Sequence, residues 1–352
     1  MTQQHMEIVL ADNVPGVGQA GQKVSLALMP SDVHIPQELA TYLAGWSVPG
    51  GFRADDVSPV ILVDHDEDRF RTFDSDDAFK RVQVKGSPQG AIPEVDPITA
   101  LTNYKVIDRY VGSFVPAQTE LNADGGFRPK QAAARRCKRA IALDRELDVW
   151  TLLTTVGSWN AGNVTALSAG QKWNGGLSSD PLIDVQYLLE NSAQQVTDLW
   201  MSYKTANAFM RHDRVRDQMR SLLGDSAPAG NLQQLNTAVG RDSRYDFVIP
   251  GFPPIHVVGG KVKDVNGVIG PILGDSFVVA TSSPPGVPTD GEEIATTYTF
   301  RRRSFSGVGY EAREFEIPGR GPLGGTMLVC SMADVAVMTA SIVGGLITGA
   351  TA

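Results

Sequence analysis

Residues 128–156 limit the possible folds of this chain more than any other segment. Pro129 suits a first helical position, Gly157 marks a stop, and apolar residues recur between them at spacings of three and four. The apolar stripe comprises Ala133, Cys137, Ala140, Leu143, Leu147, Trp150 and Leu153. At about 1.5 Å per residue, this pattern predicts one helix of roughly 40 Å, which is long for a globular protein.

The charges on this helix divide into two halves. Six basic and no acidic residues lie from Arg128 to Arg139, whereas the second half carries Asp144, Glu146 and Asp148. The basic half is either a solvated or subunit-facing side, or a surface that meets nucleic acid. The candidates for a lumen-facing or DNA contact are Arg135, Arg136, Lys138 and Arg139. Because the whole chain carries a net charge of −8, any DNA contact has to come from such a local basic face.

The composition predicts a folded chain with a substantial core. With 352 residues, 42% of them apolar, the chain is expected to form more than one compact unit. Cys137 and Cys330 are interpreted as reduced core thiols, and the five histidines have no metal-ligand spacing. The apolar stretch at 327–347 is interrupted by Asp334 and two glycines, which favours a pair of buried strands over a membrane span.

The N-terminal third is predicted to form two separate hairpins. Residues 1–29 have two strand patterns around a Gly-rich turn, and the GxGxxG match within them is not followed by a helix. Strands at 58–63 and 69–73 enclose the acidic run 64–68, and the pair is expected to be a long excursion with little core of its own. The acidic run is interpreted as a solvated turn in preference to a divalent-metal site, since it lacks the EF-hand spacing.

Beyond residue 178 the pattern is mixed. Ser179-Asp180-Pro181 is a helix start, so 182–195 is predicted to be a capped helix, and 204–210 and 215–222 are predicted to be two shorter helices. Strands are predicted at 199–201, 247–249, 255–262, 276–280, 296–303 and 312–317. Three consecutive arginines, 301–303, are expected to divide between the two faces of their strand and to meet DNA or another subunit.

No motif in the sequence indicates catalysis. The chain lacks the P-loop, zinc-protease, nucleophile-elbow and CxxC patterns, so no catalytic residue, cofactor or metal is predicted. A hydrolase or ligand-binding protein with an unfamiliar site is the alternative from a different class. A monomer with a deep pocket of perturbed carboxylates would support that alternative.

The order of these elements resembles the major capsid proteins of tailed bacteriophages, which have an α+β fold also called the Johnson fold. The resemblance covers about residues 31–352. The stretches that carry it are 59–64, 69–74 and 78–81, 139–146 with Trp150, Trp173, 179–184, 198–202 and 209–219. It implies an N-arm (30–58), an extended E-loop hairpin (59–100), a long spine helix (128–156), a P domain (101–180 and 320–352) and an A domain (181–319). Residues 1–29 form an added hairpin, and they depart from family members with a long cleaved scaffolding segment.

The implied function is structural, not enzymatic. The resemblance implies a subunit that assembles in the host bacterial cytoplasm, as hexamers and pentamers, into the icosahedral capsid of a virion enclosing double-stranded DNA. The implied partners are other copies, packaged DNA by non-specific contact, and portal, decoration and scaffolding proteins, with no membrane. The hairpin residues predicted to contact other subunits are Asp64, Asp66, Glu67, Asp68, Arg69, Arg71, Lys80 and Lys85. An encapsulin shell, which encloses protein cargo, is the alternative within the same fold.

Overall fold

A computed structural model of the chain describes residues 7–8, 24–25, 42, 51–73, 100–123, 128–175, 178–223, 246–263, 266–284, 293–303, 310–318 and 323–351. The helices are α1 (Ala54–Val57), α2 (Ala117–Leu121), α3 (Pro129–Thr154), α4 (Pro181–Asn191), α5 (Tyr203–Arg211) and α6 (Asp213–Leu223). The first strands are β1 (Glu7–Ile8), β2 (Val24–Ser25), β3 (Val60–Val63), β4 (Glu67–Thr72), β5 (Ala100–Lys105), β6 (Ile107–Pro116), β7 (Val164–Ala166) and β8 (Asp198–Ser202). The later strands are β9 (Ile255–Val258), β10 (Lys261–Lys263), β11 (Ile269–Pro271), β12 (Val278–Thr281), β13 (Thr297–Arg302), β14 (Glu311–Ile317), β15 (Gly325–Met338) and β16 (Gly345–Thr348).

Two five-stranded sheets organise the molecule. In the first sheet the long strand β15 pairs with β6 along one edge and with β14 and then β13 along the other, and β3 pairs in parallel with β13. The second sheet has the order β7-β16-β12-β8-β9. The α+β fold class and the long helix predicted from the sequence are therefore confirmed.

The long helix α3 packs against both sheets. Its N-terminal half packs on the first sheet in one apolar core, where Ile141 and Cys137 meet Leu328 and Cys330. Its C-terminal half packs on the second sheet, and Trp150 lies edge-on to Trp200 with ring centroids 5.9 Å apart. Helices α4 to α6 cover the other face of the second sheet. Both cysteines are free and buried, as predicted.

The buried stripe of α3 differs from the predicted one. Ala140 is exposed, and Leu143 and Leu147 are only partly buried. The fully buried face instead follows a strict four-residue row, which is Ala133, Cys137, Ile141, Arg145, Val149 and Leu153. The prediction left out Ile141 and Val149, which are apolar and buried, and it counted no charged residue, whereas Arg145 and its neighbour Glu146 are buried with polar partners.

The strand pairing around the acidic run also differs from the prediction. The strand at 60–63 joins the first sheet through β13, and it does not pair with the strand at 67–72. Instead β4 pairs with β5 as a separate antiparallel ribbon. We call β4 and β5 together the ribbon; residues 74–99 between them, including Lys80 and Lys85, lie outside the described residues.

The two apolar C-terminal strands exist but lie apart. β15 belongs to the first sheet and β16 to the second, so the predicted pair is two strands in different sheets. We call the connecting residues 339–344 the link turn. No helix in the described part of the chain has the length and apolar character needed to cross a membrane. At the N-terminus, β1 pairs with β2, while most of the predicted hairpin 1–29 lies outside the described ranges.

Candidate assembly surfaces

The ribbon exposes most of its residues to solvent. Only one residue of each strand is buried, Phe70 in β4 and Tyr104 in β5. The ring of Tyr104 stacks on Phe300 of the first sheet at a centroid distance of 4.3 Å, and Phe70 lies 5.6 Å from the same ring. These three rings form the aromatic root of the ribbon. Leu101, another apolar residue of the ribbon, is exposed to solvent.

The predicted intersubunit residues that the structure describes separate into three groups. Asp66 accepts a hydrogen bond from Arg302 at 2.9 Å, and Asp64 lies 3.3 Å from Arg303, so both carboxylates face their own first sheet. Cross-strand pairing places Glu67, Arg69 and Arg71 on the face of the ribbon that also carries Leu101, Asn103 and Lys105. Asp68 lies on the opposite face and accepts the backbone N–H of Arg69. We call the face carrying Glu67, Arg69 and Arg71 the outer ribbon face.

Two of the three consecutive arginines form ion pairs with aspartates of the acidic run 64–68. Arg302 bridges Asp66 and Asp108 at 2.9 Å each, and Arg303 contacts Asp64. Arg301 points to the other face of the sheet and donates to Asp55 at 2.9 Å. The structure therefore shows intrachain partners for residues that the sequence left as candidates for DNA or subunit contacts.

A cluster of charges, all buried except Asp55, lies between α3 and the first sheet. We call Asp55, Arg109, Arg145, Arg301 and Asp334 the charge junction. The Asp334 side chain is 1% exposed and forms ion pairs with Arg109, Arg145 and Arg301. Arg109 also reaches Asp144, at 3.0 Å, and Asp148 on the exposed side of α3. Five segments that are distant in sequence are joined here: α1, β6, α3, β13 and β15.

The electrostatics of the charge junction favour the ionised forms. Burial by itself raises the pKa of Asp55, but Arg145 and Arg301 outweigh it and hold that pKa below its ordinary value. Burial opposes the charge of Arg145, but Asp55 and Asp334 raise the pKa of Arg145 above its ordinary value. The charges of Asp55 and Arg145 are thus stabilised by oppositely charged partners within contact distance.

Glu146 joins α1 to the same helix. Its two carboxylate oxygens accept the backbone N–H groups of Arg53 and Ala54, both at 2.8 Å, and one also accepts the indole N–H of Trp150 at 2.7 Å. Burial raises the pKa of Glu146 despite these donors. This carboxylate satisfies the N-terminal amides of α1 from a distant part of the chain.

A histidine between two carboxylates extends these contacts to the second sheet. His256 Nε2 lies 2.8 Å from Asp198, Nδ1 lies 3.1 Å from Asp246, and the ring stacks on Trp200 at 4.6 Å. Burial disfavours the charged ring, but Asp198 and Asp246 outweigh it and raise the pKa of His256 to about 9. Asp246 also pairs with Arg53 at 3.1 Å, so the residue before α1 is connected to the second sheet through Asp246 and His256.

The basic half of α3 has a mixed arrangement. Arg135, Arg136 and Arg139 are exposed, and within the described residues none of them forms an ion pair. Arg135 lies over the ring of Tyr42 at 6.0 Å. Lys138 differs from the other three candidates, because it is buried with its amine 4.9 Å from the ring centroid of Tyr310. It is therefore not part of the exposed basic surface.

Among the described residues, no group of three His, Cys, Asp or Glu side chains is arranged to hold a metal ion. Neither the charge junction nor the His256 site was predicted from the sequence. One signal was present: Arg145 falls on the four-residue row of α3 that contains Cys137 and Ile141. The partners could not be assigned, because Arg109 and Asp334 are 225 residues apart.

Comparison with known proteins identifies the fold. No protein-family model and no curated protein sequence matches the chain. Among solved structures, a phage-related protein from Bordetella bronchiseptica RB50 is similar over 90% of this chain and 97% of its own, with a TM-score of 0.64 and 17% identity. The capsid of the cyanophage P-SCSP1u matches with a TM-score of 0.52 and 10% identity, covering 87% of this chain and 90% of that one.

The chain has the phage major capsid fold. The encapsulin of Synechococcus elongatus PCC 7942 shares this fold, with a TM-score of 0.50 and 10% identity over 87% of this chain and 91% of that one. The capsid fold predicted from the order of sequence elements is therefore confirmed, and the match extends over nearly the whole length of each of these proteins.

Proposed function

We propose that this chain is a structural subunit that self-assembles into the icosahedral capsid enclosing the double-stranded DNA of a tailed phage. The observation that carries the proposal is the ribbon, an extended pair of strands with one buried residue each, on a subunit with the capsid fold. A two-stranded ribbon is marginal in water unless other surfaces cover it. In a closed symmetric shell every copy offers the same surface to its neighbour.

The domain division follows from the resemblance and stays a proposal. We assign residues 30–58 to an N-arm, 59–100 to an E-loop, 101–180 and 320–352 to a P domain, and 181–319 to an A domain. The observed pairing supports moving the base of the E-loop to the ribbon, since β3 belongs to the first sheet and β5 ends at Lys105. Residues 1–29 remain an added hairpin of unassigned role.

We assign the intersubunit contact to the outer ribbon face. Arg69 and Leu101 are exposed on it, and the ion pair of Glu67 with Lys105 leaves both side chains in solvent. A neighbouring copy would cover Leu101 and place polar groups against Arg69. Lys80 and Lys85 stay in the proposal as hairpin residues outside the described ranges.

We assign the lumen-facing surface to Arg135, Arg136 and Arg139. They form an exposed basic surface on one end of α3 without intrachain acidic partners among the described residues. Such a surface suits non-specific contact with DNA phosphates, and the strength of that contact depends on salt.

In this proposal the subunit is not an enzyme. It assembles in the host bacterial cytoplasm, and its further partners are scaffolding, portal and decoration proteins.

The decisive experiment is imaging of the particles that the full chain forms on expression. Negative-stain microscopy should show closed shells, and particles from infected or induced cells should contain double-stranded DNA protected from nuclease. Particles that contain a defined protein and no DNA would support the encapsulin alternative, and a stable monomer at high concentration would contradict both.

A deletion tests the role of the hairpin. Removing residues 64–85, as the sequence alone would suggest, also removes Phe70 and Phe73 from the body of the subunit. A sharper variant replaces residues 74–99 with a two-residue Asn-Gly turn and keeps the ribbon. We expect this variant to stay soluble and folded but to form no closed shells. Normal shells from it would contradict an interface role for that segment.

A further inference from the structure

The link turn is held by both sheets and by the elements around them. Thr339 N–H donates to Thr296 at 3.0 Å on the first-sheet side, and the N–H of Ala193 donates to the carbonyl oxygen of Ile342 at 3.0 Å after α4. Gly344 has a φ of +88°, and a Cβ there would collide with the carbonyl oxygen of Ala280 in β12. The link turn is therefore in direct contact with elements of both sheets, and at Gly344 there is no room for a larger residue.

The ribbon touches the link turn at a point separate from its aromatic root. The N–H of Phe73, directly after β4, donates to the carbonyl oxygen of Thr339 at 2.8 Å. The Phe73 side chain is 9% exposed and packs with Ala340, Ile342 and Val343. The aromatic root holds the ribbon near Phe70 and Tyr104 by different contacts, in a different apolar cluster.

The attachment at Phe73 limits the rotation of the ribbon. At its base the ribbon is held by the aromatic root, by the bond from the Val106 N–H to the carbonyl oxygen of Asp66, and by the ion pairs of Arg302 with Asp66 and Asp108. These contacts lie toward one end, and among the described residues β4 and β5 pair with no other strand, so the ribbon can rotate about this base. A second attachment at the far end of β4 removes that rotation. Since the second attachment is made to the link turn, the direction of the ribbon depends on the angle between the two sheets.

We propose that Phe73 is a positioning residue that fixes the direction of the ribbon to the link turn between the sheets. The consequence for shell geometry rests on the proposed function, whereas the attachment itself does not. In a shell, a change in the angle between the sheets moves the ribbon toward or away from the neighbouring copy.

The test measures the ribbon in the unassembled full-length subunit. Spin labels are placed at Leu101→Cys on the ribbon and Val156→Cys after α3, both exposed positions, while the native thiols of Cys137 and Cys330 are buried and do not react in the folded subunit. Distances are measured by double electron–electron resonance in the parent and in Phe73→Ala. The matched control is Phe252→Ala, which truncates a partly buried phenylalanine packed against the core of α4 to α6.

We expect one narrow distance in the parent and in Phe252→Ala, and a broad distribution in Phe73→Ala. An equally narrow distribution in Phe73→Ala would overturn the proposal. If Phe73→Ala does not fold, hydrogen exchange in the unsubstituted chain decides: the Phe73 amide should be protected, and free exchange at that amide would also overturn the proposal.

Particle imaging separates this inference from the proposed function. Shells of mixed size from Phe73→Ala, beside uniform shells from Phe252→Ala, would support both. If the parent forms no shells, the proposed function fails, while the distance measurement still tests the attachment of the ribbon.

Discussion

The base of the ribbon and the charge junction contain the same kinds of side chain in different surroundings. Asp64, Asp66, Arg302 and Arg303 pair at the surface, with 42% to 71% of each side chain exposed. Asp334 and Arg145 pair beneath α3 with 1% and 6% exposed. Exposed pairs contribute little because water already stabilises both charges, whereas removal of one buried partner leaves an unpaired charge in the interior. The exposed ion pairs at the base of the ribbon are therefore expected to contribute little to the free energy of unfolding, and the buried pairs of the charge junction to contribute much more.

The largest effect is expected at Asp334. Replacing it with Asn leaves Arg109, Arg145 and Arg301 with one shared carboxylate fewer, and removal of a buried partner typically costs about 3–5 kcal/mol of the free energy of unfolding. Urea unfolding followed by circular dichroism measures the change. Asp108→Asn is the matched control, because Asp108 lies on the adjacent strand β6 and pairs with an exposed arginine. Equal losses in the two variants would contradict the comparison.

The next effect is expected at His256 and depends on pH. Because the folded-state pKa is raised from 6.5 to about 9, the stabilisation is fully present below about pH 6.5 and is lost as the pH rises through about 9. The shift corresponds to a stabilisation on the order of 3 kcal/mol. The groups facing the ring are Asp198, Asp246, Trp200 and, through Asp246, Arg53.

The measurement is the difference in free energy of unfolding between the parent and His256→Gln from pH 6 to pH 10. We expect the difference to be large at pH 6 and to shrink toward pH 10. A difference that does not change with pH would show that the ring is held by packing alone.

The smallest effects are expected among the exposed arginines. Arg302→Ala removes the bridge between Asp66 and Asp108 and should cost about 1 kcal/mol or less, and Arg303→Ala should cost less than about 0.5 kcal/mol. Arg301→Ala, one residue earlier but in the charge junction, should cost several times more. Thermal unfolding of the three variants, in low and high salt, tests this order. A loss at Arg303 as large as that at Arg301 would remove the distinction between the regions.

The sequence predicted the elements better than their contacts. The helix at 129–154 and most strands after residue 198 follow from periodicity and turn residues, which are local properties. The pairing of Val60–Val63 with Thr299–Arg302 could not be predicted, because nothing local to either strand specifies the other. The charge junction was missed for the same reason, and because charged residues such as Arg145 and Asp334 are ordinarily assigned to the surface.

The pairing of β6 and β3 with strands near the C-terminus affects the order in which the chain can fold during synthesis. Residues 107–116 and 60–63 leave the ribosome long before their partners at 325–334 and 299–302. The first sheet cannot close, and the base of the ribbon cannot be fixed, until the chain has been made through residue 338. A translation product that ends before residue 325 lacks β15, the strand with which β6, β13 and β14 pair, and so it cannot form the first sheet.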